Sequence, residues 1–274
     1  MPDQYAVIGN PIAHSKSPLI HASFARQTGH DLTYVALYAE AHEFEAVVER
    51  FRGEGGRGLN VTLPFKHRAY ALAQRCSVRA TQAQAVNTLA FSDGEIGGDN
   101  TDGAGLVQDL RVNLGCIVRG RRVLLMGAGG AAYGVCGPLL EEEPSTLVVA
   151  NRSLDKALGL CEHFKPINPR AKRLAAVSYS ALQGQRFDLV INATSAGLDD
   201  AMPPLPAGLF SPGAWAYDMV YGKATPFLEF AQREGARTAD GLGMLVEQAA
   251  ESFQVWRGVR PQTAPVIELL RRGA

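Results

Sequence analysis

Short apolar runs alternate with longer stretches of helical spacing along nearly the whole chain, the pattern expected of a parallel α/β sheet. Tyr5–Gly9 reads as a buried strand, Pro18–Thr28 as a helix, Leu32–Tyr38 as a strand and Phe44–Gly53 as a helix. Gly58–Thr62 is a further strand ended by Pro64, an Ala-rich helical stretch surrounds Thr81, and Ala85–Phe91 reads as a strand. Gly97-Gly98-Asp99-Asn100-Thr101-Asp102 reads as a turn that opens a helix reaching about Asn113. A second series follows, with strands at Arg122–Met126 and Thr146–Ala150 flanking a helix from about Ala131 to Leu140, then strands at Phe187–Asn192 and Ala214–Met219. Met202–Gly213 holds four prolines and two glycines, which is loop chemistry. Leu242–Trp256 has helical apolar spacing.

This pattern predicts two α/β domains. Residues 1–101 form the first, to which a C-terminal helix in residues 241–274 returns; residues 102–240 form a Rossmann-type dinucleotide-binding domain. A chain of 274 residues has room for both cores. Val123–Leu140 is 18 residues without a charge, the lower limit for a membrane span. Its five glycines and Pro138 suit a strand, a glycine turn and a buried helix instead.

Charge narrows the partners. Lys+Arg and Asp+Glu both number 27, so the net charge is zero, against nucleic acid or an anionic membrane and in favour of a small-molecule substrate. The four cysteines form no C-x-x-C pair and the six histidines no H-E-x-x-H, so neither a metal site nor a disulfide framework is expected. The N-terminus lacks a basic segment and a long apolar run, so reduced thiols in a cytoplasmic protein are the expectation.

Gly127-Ala128-Gly129-Gly130-Ala131-Ala132 follows the strand Val123–Met126 and opens a helix, the G-x-G-x-x-A form of the dinucleotide fingerprint. The first glycine permits the sharp turn, the second lets backbone approach a pyrophosphate, and Ala132 allows close helix–strand packing. Phosphates would sit on the free N–H groups of the positive helix end. At the end of the next strand, NAD enzymes usually carry an acidic residue for the ribose 2′-hydroxyl. This chain has Asn151-Arg152-Ser153 and Lys156 there, and a guanidinium suits a 2′-phosphate, so NADP is the expected cofactor.

Ser15 and Ser17 lie at the start of the first helix, with Pro18 at the first helical position. Ser17 suits a plain N-cap, and the two hydroxyls equally suit a carboxylate site at a helix N-terminus. Asn60 and Thr62 alternate outward on the same face at the C-terminal end of a strand, where α/β folds bind ligands, and Lys66 follows the proline break. Asn87 sits in a strand, where Asn is out of character, and Asp102 opens the linking helix. Taken singly, Lys66 is equally a surface lysine and Asp102 equally a complement to the helix dipole.

The blocks G-N-P-I-x-H-S-K-S-P, N-V-T-L-P-F-K, A-V-N-T-L, D-N-T-D-G, G-A-G-G-A, N-R-S, I-N-A-T-S-A-G, D-M-V-Y-G with T-P-F-L, and D-G-L-G-M-L-V-E-Q run in order from residue 9 to 248. As a set they closely resemble the shikimate dehydrogenase family. The resemblance implies hydride transfer between NADPH and C3 of 3-dehydroshikimate/shikimate, in aromatic amino acid biosynthesis. It implies that Ser15 and Ser17 hold the substrate carboxylate and that Asn60, Thr62, Asn87, Tyr221 and Gln248 bind the ring, with Asp102 also reaching it. Lys66 and Asp102 would be the catalytic pair. Gly127–Ala131, Asn151, Arg152, Ser153, Lys156, Met219 and Gly241 would line the NADP site. Gln84 stands where the family usually has a small residue. Val78 stands near where many members carry an acid, so that one contact is not carried over. The alternatives are a quinate or quinate/shikimate dehydrogenase, or a non-catalytic NADP-binding regulator. A monomer and a homodimer are both compatible with the sequence.

Overall fold

The structure, a computed structural model, describes residues 1–194 and 202–273, which divide into two compact units: residues 1–105 with 246–274, and residues 106–245. Both divisions fall within helices, a few residues beyond the boundaries expected from the sequence. The block I-N-A-T-S-A-G runs past Thr194, so its last three residues lie outside the described residues.

The first unit opens with β1 (Asp3–Gly9), α1 (Ser17–Thr28), β2 (Leu32–Tyr38), α2 (Phe44–Gly53) and β3 (Gly56–Val61). It continues through α3 (Lys66–Leu72), β4 (Arg75–Cys76), α4 (Val78–Ala83), β5 (Thr88–Ser92) and β6 (Glu95–Asp99) to α5 (Asp102–Gln108). The sheet order is β2-β1-β3-β5-β6-β4, parallel from β2 to β3 and antiparallel across β3–β5–β6. Apolar faces of β1, β3 and β5 close over Phe44, Val48 and Phe65, all fully buried.

Two expectations for this unit need correcting. Gly97 and Gly98 do not turn; they lie within β6, so the link that opens α5 shortens to Asn100–Thr101, while Asp93-Gly94, both with positive φ, form the β5–β6 hairpin turn. That pair is the D-G signal of a tight hairpin. Gly98 is glycine because a Cβ there would lie 2.7 Å from Val86 and 2.8 Å from Ala73. The strand expected over 85–91 begins only at Thr88, so Asn87 precedes it.

In the second unit α5 runs on into a π-helical turn, Asp109–Asn113. Then come β7 (Arg122–Met126), α6 (Gly130–Glu141), β8 (Thr146–Ala150), α7 (Leu154–Phe164), β9 (Leu174–Val177) and β10 (Phe187–Asn192). The chain continues with β11 (Phe210–Asp218), α8 (Pro226–Arg233), β12 (Arg237–Asp240) and α9 (Leu242–Arg257), which enters the first unit, where α10 (Ala264–Arg272) ends the chain. The loop expected over 202–213 is cut short by β11, which starts at Phe210 and shifts register before Trp215. All six strands are parallel in the order β12-β11-β10-β7-β8-β9. Counted from β7 this is the doubly wound 3-2-1-4-5-6 order, with its switch point between β7 and β10. The charge-free stretch 123–140 is β7, a glycine turn and α6, and no helix among the described residues is long and apolar enough to cross a membrane.

His21 on α1 lies wholly inside the first unit, stacked on Tyr34 at 4.2 Å and edge-on to Phe24 at 5.9 Å. Burial holds its imidazole down at about pKa 3, with the Asn60 side chain acting weakly in the other direction. The unfolded chain takes up a proton below about pH 6.5 that the folded chain refuses until about pH 3, so this histidine removes stability as pH falls through that window. At about pH 5 the loss is about 2 kcal/mol. His21→Phe is therefore expected to flatten the fall in unfolding free energy between about pH 7 and 5. A parallel pH dependence in parent and variant, measured by urea titration, would contradict this.

Candidate active site

Antiparallel pairing carries three strand ends to one edge of the first sheet. Asn60 of β3 stands opposite Thr88 of β5, and Thr88 stands opposite Asp99 of β6. Asn60–Thr62, Asn87–Thr88 and Asp99–Asp102 therefore meet, although the chain separates them widely. Lys66 opens α3 beside them, anchored by its neighbour Phe65, which is buried and stacked on Phe44 at 4.8 Å.

Lys66 Nζ donates to Asp102 Oδ2 at 2.6 Å, and Asn87 Nδ2 donates to Asp102 Oδ1 at 2.9 Å, so each carboxylate oxygen meets a donor. The Asn87 amide cannot be turned over, because its Oδ1 accepts the Thr101 backbone N–H at 2.8 Å. The Thr88 hydroxyl donates to the same oxygen at 2.9 Å. Gln248 Oε1 on α9 lies 3.3 Å from Asn87 Nδ2. α9 comes this close because residue 105 is glycine: a Cβ there would lie 2.7 Å from the backbone N and the Cβ of Gln248. The Lys66 and Asp102 side chains keep 23% and 11% exposure, enough for a ligand to meet them while bulk water does little to screen the pair.

The turn bearing Asp102 is held from behind. Arg79 binds Asp99 through two N–H groups at 2.7 and 2.6 Å, and Asp99 Oδ1 accepts the Asn100 N–H at 2.7 Å. Burial raises the Asp99 carboxyl, but the Arg79 guanidinium outweighs it and holds the group below its ordinary value. Arg79 also binds Glu251 at 2.8 Å, tying α4 to α9.

The remaining expected residues separate into two groups. Ser15 is half-buried and its hydroxyl accepts the Ser17 N–H at 3.3 Å. Ser17 is not the N-cap: Lys16 occupies that position with no side-chain cap bond, and Ser17 is the buried first residue of α1. Thr62 lies just past β3, half-buried. Asn60 faces inward rather than outward and is 6% exposed, with Tyr34, Asn87, Thr88 and Ser252 around it. Gln84 is an exposed left-handed residue whose carbonyl faces His67 Nδ1 at 2.8 Å. Tyr34, Arg79 and Ser252 carry no mark in the sequence, being ordinary residue types at ordinary positions, whereas Thr88 and Thr101 lie in the blocks A-V-N-T-L and D-N-T-D-G with no role read for them.

Tyr221 lies in the second unit, after β11, its phenol raised by burial. In that unit the turn between β7 and α6 takes the form the fingerprint requires. Gly127 has φ 105°, and its Cβ would lie 3.0 Å from the Ala193 carbonyl at the end of β10. Gly129 precedes an α6 N-terminus with no side-chain cap, and nothing lies within 4 Å of the position its Cβ would take. Gly129, Gly130 and Ala131 are exposed, as are Arg152, Ser153 and Lys156 around the start of α7, while Ala128 and Asn151 are half-buried. Asn151 Nδ2 shapes its turn by donating to the Ser153 carbonyl at 2.9 Å. Free N–H groups at a helix end with space before them, and two cations beside the next strand, fit a phosphorylated dinucleotide. Gly241 packs against Met219, whose carbonyl would lie 2.3 Å from a Cβ at 241.

Three family models match the chain. They are described as the shikimate dehydrogenase substrate binding domain over residues 7–89, shikimate / quinate 5-dehydrogenase over 112–198, and the shikimate 5'-dehydrogenase C-terminal domain over 241–271. A Nitrosospira multiformis protein named shikimate dehydrogenase (NADP(+)) is 58% identical over 99% of this chain and 98% of its own. Among solved structures, an Ael1 enzyme from Pseudomonas putida is similar with a TM-score of 0.91 at 52% identity, covering 98% of each chain. Shikimate 5-dehydrogenase from Thermus thermophilus, in complex with NADP(H) and shikimate, gives 0.87 at 34% identity over 99% of this chain and 100% of that one.

The two glycines of the fingerprint are expected to respond differently. Gly127→Ala strains a left-handed backbone against a fixed carbonyl and is expected to cost about 1–3 kcal/mol of stability. Gly129→Ala adds a methyl group in extended backbone facing open space, so its melting temperature is expected to stay at the parent value while NADPH binding, read by fluorescence titration, is lost. Normal NADPH binding by a fully folded Gly129→Ala protein would show that no pyrophosphate lies against this turn.

Proposed function

The chain belongs to the shikimate dehydrogenase family, and on that premise we propose that it is an NADP-dependent shikimate dehydrogenase that interconverts 3-dehydroshikimate and shikimate. The observation carrying this reading is the Lys66–Asp102 pair, held at 2.6 Å in a setting where Asn87 engages the other carboxylate oxygen. NADPH, when bound, supplies the hydride that adds to the ring carbonyl carbon. The chain's own part is to bind the substrate and to move one proton. In reduction, Lys66 Nζ gives its proton to the carbonyl oxygen as the alcohol forms, while Asp102 orients the amine. In oxidation the same nitrogen takes the hydroxyl proton back. Ser15 and Ser17 bind the substrate carboxylate, Thr62, Asn87, Tyr221 and Gln248 bind the ring, and Asn60 supports Asn87.

Residues 1–105 with 246–274 serve as the substrate domain and residues 106–245 as the NADP domain, where Gly127–Ala131 hold the pyrophosphate. Arg152 takes the 2′-phosphate, with Asn151, Ser153 and Lys156 beside it, and Met219 and Gly241 line the same site. We read the protein as a cytoplasmic monomer or homodimer, consistent with four free cysteines.

Three assays run side by side, of NADP reduction with shikimate, with quinate and without substrate, test the substrate. Shikimate is expected to be strongly preferred, and a higher kcat/KM for quinate would reassign it. Lys66→Ala and Asp102→Asn are each expected to lower kcat by about a hundredfold or more, and the double variant to be little worse than the poorer single one. Near-normal turnover in Lys66→Ala would remove the proton from that residue.

Arg152→Ala is expected to weaken NADP binding about 10- to 100-fold, the loss of one charge-assisted contact, and to leave NAD binding unchanged. Equal losses for both cofactors would mean that Arg152 does not read the 2′-phosphate.

A further inference from the structure

A directed run of hydrogen bonds leads from Tyr34 on β2 to the Lys66–Asp102 pair. The Tyr34 phenol donates its O–H to Asn60 Oδ1 at 2.7 Å. Asn60 Nδ2 faces the Asn87 carbonyl at 3.2 Å, Thr88 Oγ1 at 3.2 Å and Ser252 Oγ at 3.0 Å. Thr88 Oγ1 donates to Asn87 Oδ1 at 2.9 Å, and Asn87 Nδ2 donates to Asp102 Oδ1 at 2.9 Å. The run therefore points from Tyr34 toward the carboxylate.

Its direction is fixed at Asn60. The Asn87 carbonyl accepts only, so it demands the amide nitrogen on its side; the Asn60 oxygen must then face Tyr34 and needs a donor there. Asn60, Asn87, Thr88 and Ser252 are 6%, 3%, 0% and 0% exposed, so water offers no substitute partner. Without the Tyr34 hydroxyl, Asn60 Oδ1 loses its donor at 2.7 Å; the partnerless nitrogens of the neighbouring His21 replace it only if the Asn60 side chain shifts toward them, and a flipped amide would set oxygen against the Asn87 carbonyl. The Asn60 side chain must then move, and Thr88, whose hydroxyl holds Asn87 Oδ1, must move with it, as must Ser252, which bonds to Thr88.

We propose that Tyr34 is a positioning residue for the Lys66–Asp102 pair, acting through Asn60 and Asn87. The proposal rests on the functional reading above only for its kinetic consequences. Tyr34 touches neither Lys66 nor Asp102 directly; it sets where the amide between them stands.

Tyr34→Phe keeps the ring stacked on His21 and removes one hydroxyl. Its kcat with shikimate is expected to fall about tenfold, since sub-ångström misplacement of reacting groups is costly. The solvent isotope effect on kcat is expected to rise as the misaligned proton transfer becomes limiting, while NADPH affinity stays within about twofold of the parent. The side-chain amide resonances of Asn60 and Asn87, followed by NMR without substrate, are both expected to move. A lower melting temperature with unchanged kcat and isotope effect, or a shifted Asn60 amide beside an unshifted Asn87 amide, would overturn the proposal. The amide readout needs no turnover, so a parent protein inactive on shikimate would refute the functional reading and leave this test intact. If Tyr34→Phe does not fold, Ser252→Ala removes another contact of the same run and is held to the same amide and isotope-effect criteria.

Discussion

A buried primary amide has two protons to place and a carbonyl oxygen to satisfy, and at Asn87 all three are engaged. The oxygen takes the Thr101 backbone N–H and the Thr88 hydroxyl, and the nitrogen reaches Asp102 and Thr101. Because the Thr101 N–H cannot be exchanged for an acceptor, Asn87 has one orientation and Asp102 receives a donor on the oxygen that Lys66 does not hold. The rest of the first unit serves this amide. The antiparallel β3–β5–β6 set brings it its neighbours, Arg79 and Asp99 hold the turn that supplies the Thr101 N–H, and α9 brings Gln248 and Ser252. Each contact is modest alone, but a dry polar network has little tolerance for one missing partner.

The sequence displays the ends of this network better than its middle. Asn60 and Asn87 stand out because amides are out of place at strand ends, Asp102 because it opens the linking helix inside the D-N-T-D-G block, and Lys66 because a proline break precedes it. Tyr34 and Ser252 do not stand out: a tyrosine in a strand and a serine in a helix are unremarkable residues. Ser252 meets Asn60 across 192 residues of chain, and only the folded sheet brings them together. For the same reason Asn60 reads from strand alternation as outward-facing, whereas α9 covers that face and turns it into interior.

Glycine shows why a turn near residue 98 is easily misplaced. A glycine pair marks a turn when positive φ is needed, and Asp93-Gly94 meets that need. Gly97 and Gly98 meet a different need at Gly98, close approach to Val86 and Ala73, which local sequence does not distinguish from turning. Gly105 is a third case, a helical glycine that lets α9 lie against α5 at Gln248. The fingerprint glycines are easier to read because a strand before and a helix after give them their context. The parallel 3-2-1-4-5-6 order then places their turn beside the end of β10, at the switch point where doubly wound sheets bind ligands.

A chain of zero net charge is proposed to hold two anionic ligands, a carboxylate and a triply phosphorylated dinucleotide, and the fold indicates how. Neither site depends on a field from the whole surface. Ser15 and Ser17 offer hydroxyls at the start of a helix, and Gly129–Ala131 offer backbone N–H groups at the start of another. Arg152 and Lys156 add charge only at the exposed strand end where a 2′-phosphate would sit. Short-range donors select by geometry and lose their hold within a few ångströms, whereas a basic surface would attract every polyanion in the cell. Charge neutrality and anion recognition are therefore compatible, provided that the donors are fixed in place. The packing behind each site supplies that fixity: Asp99 and Arg79 under the Asp102 turn, the Ala193 carbonyl under Gly127, and Met219 against Gly241.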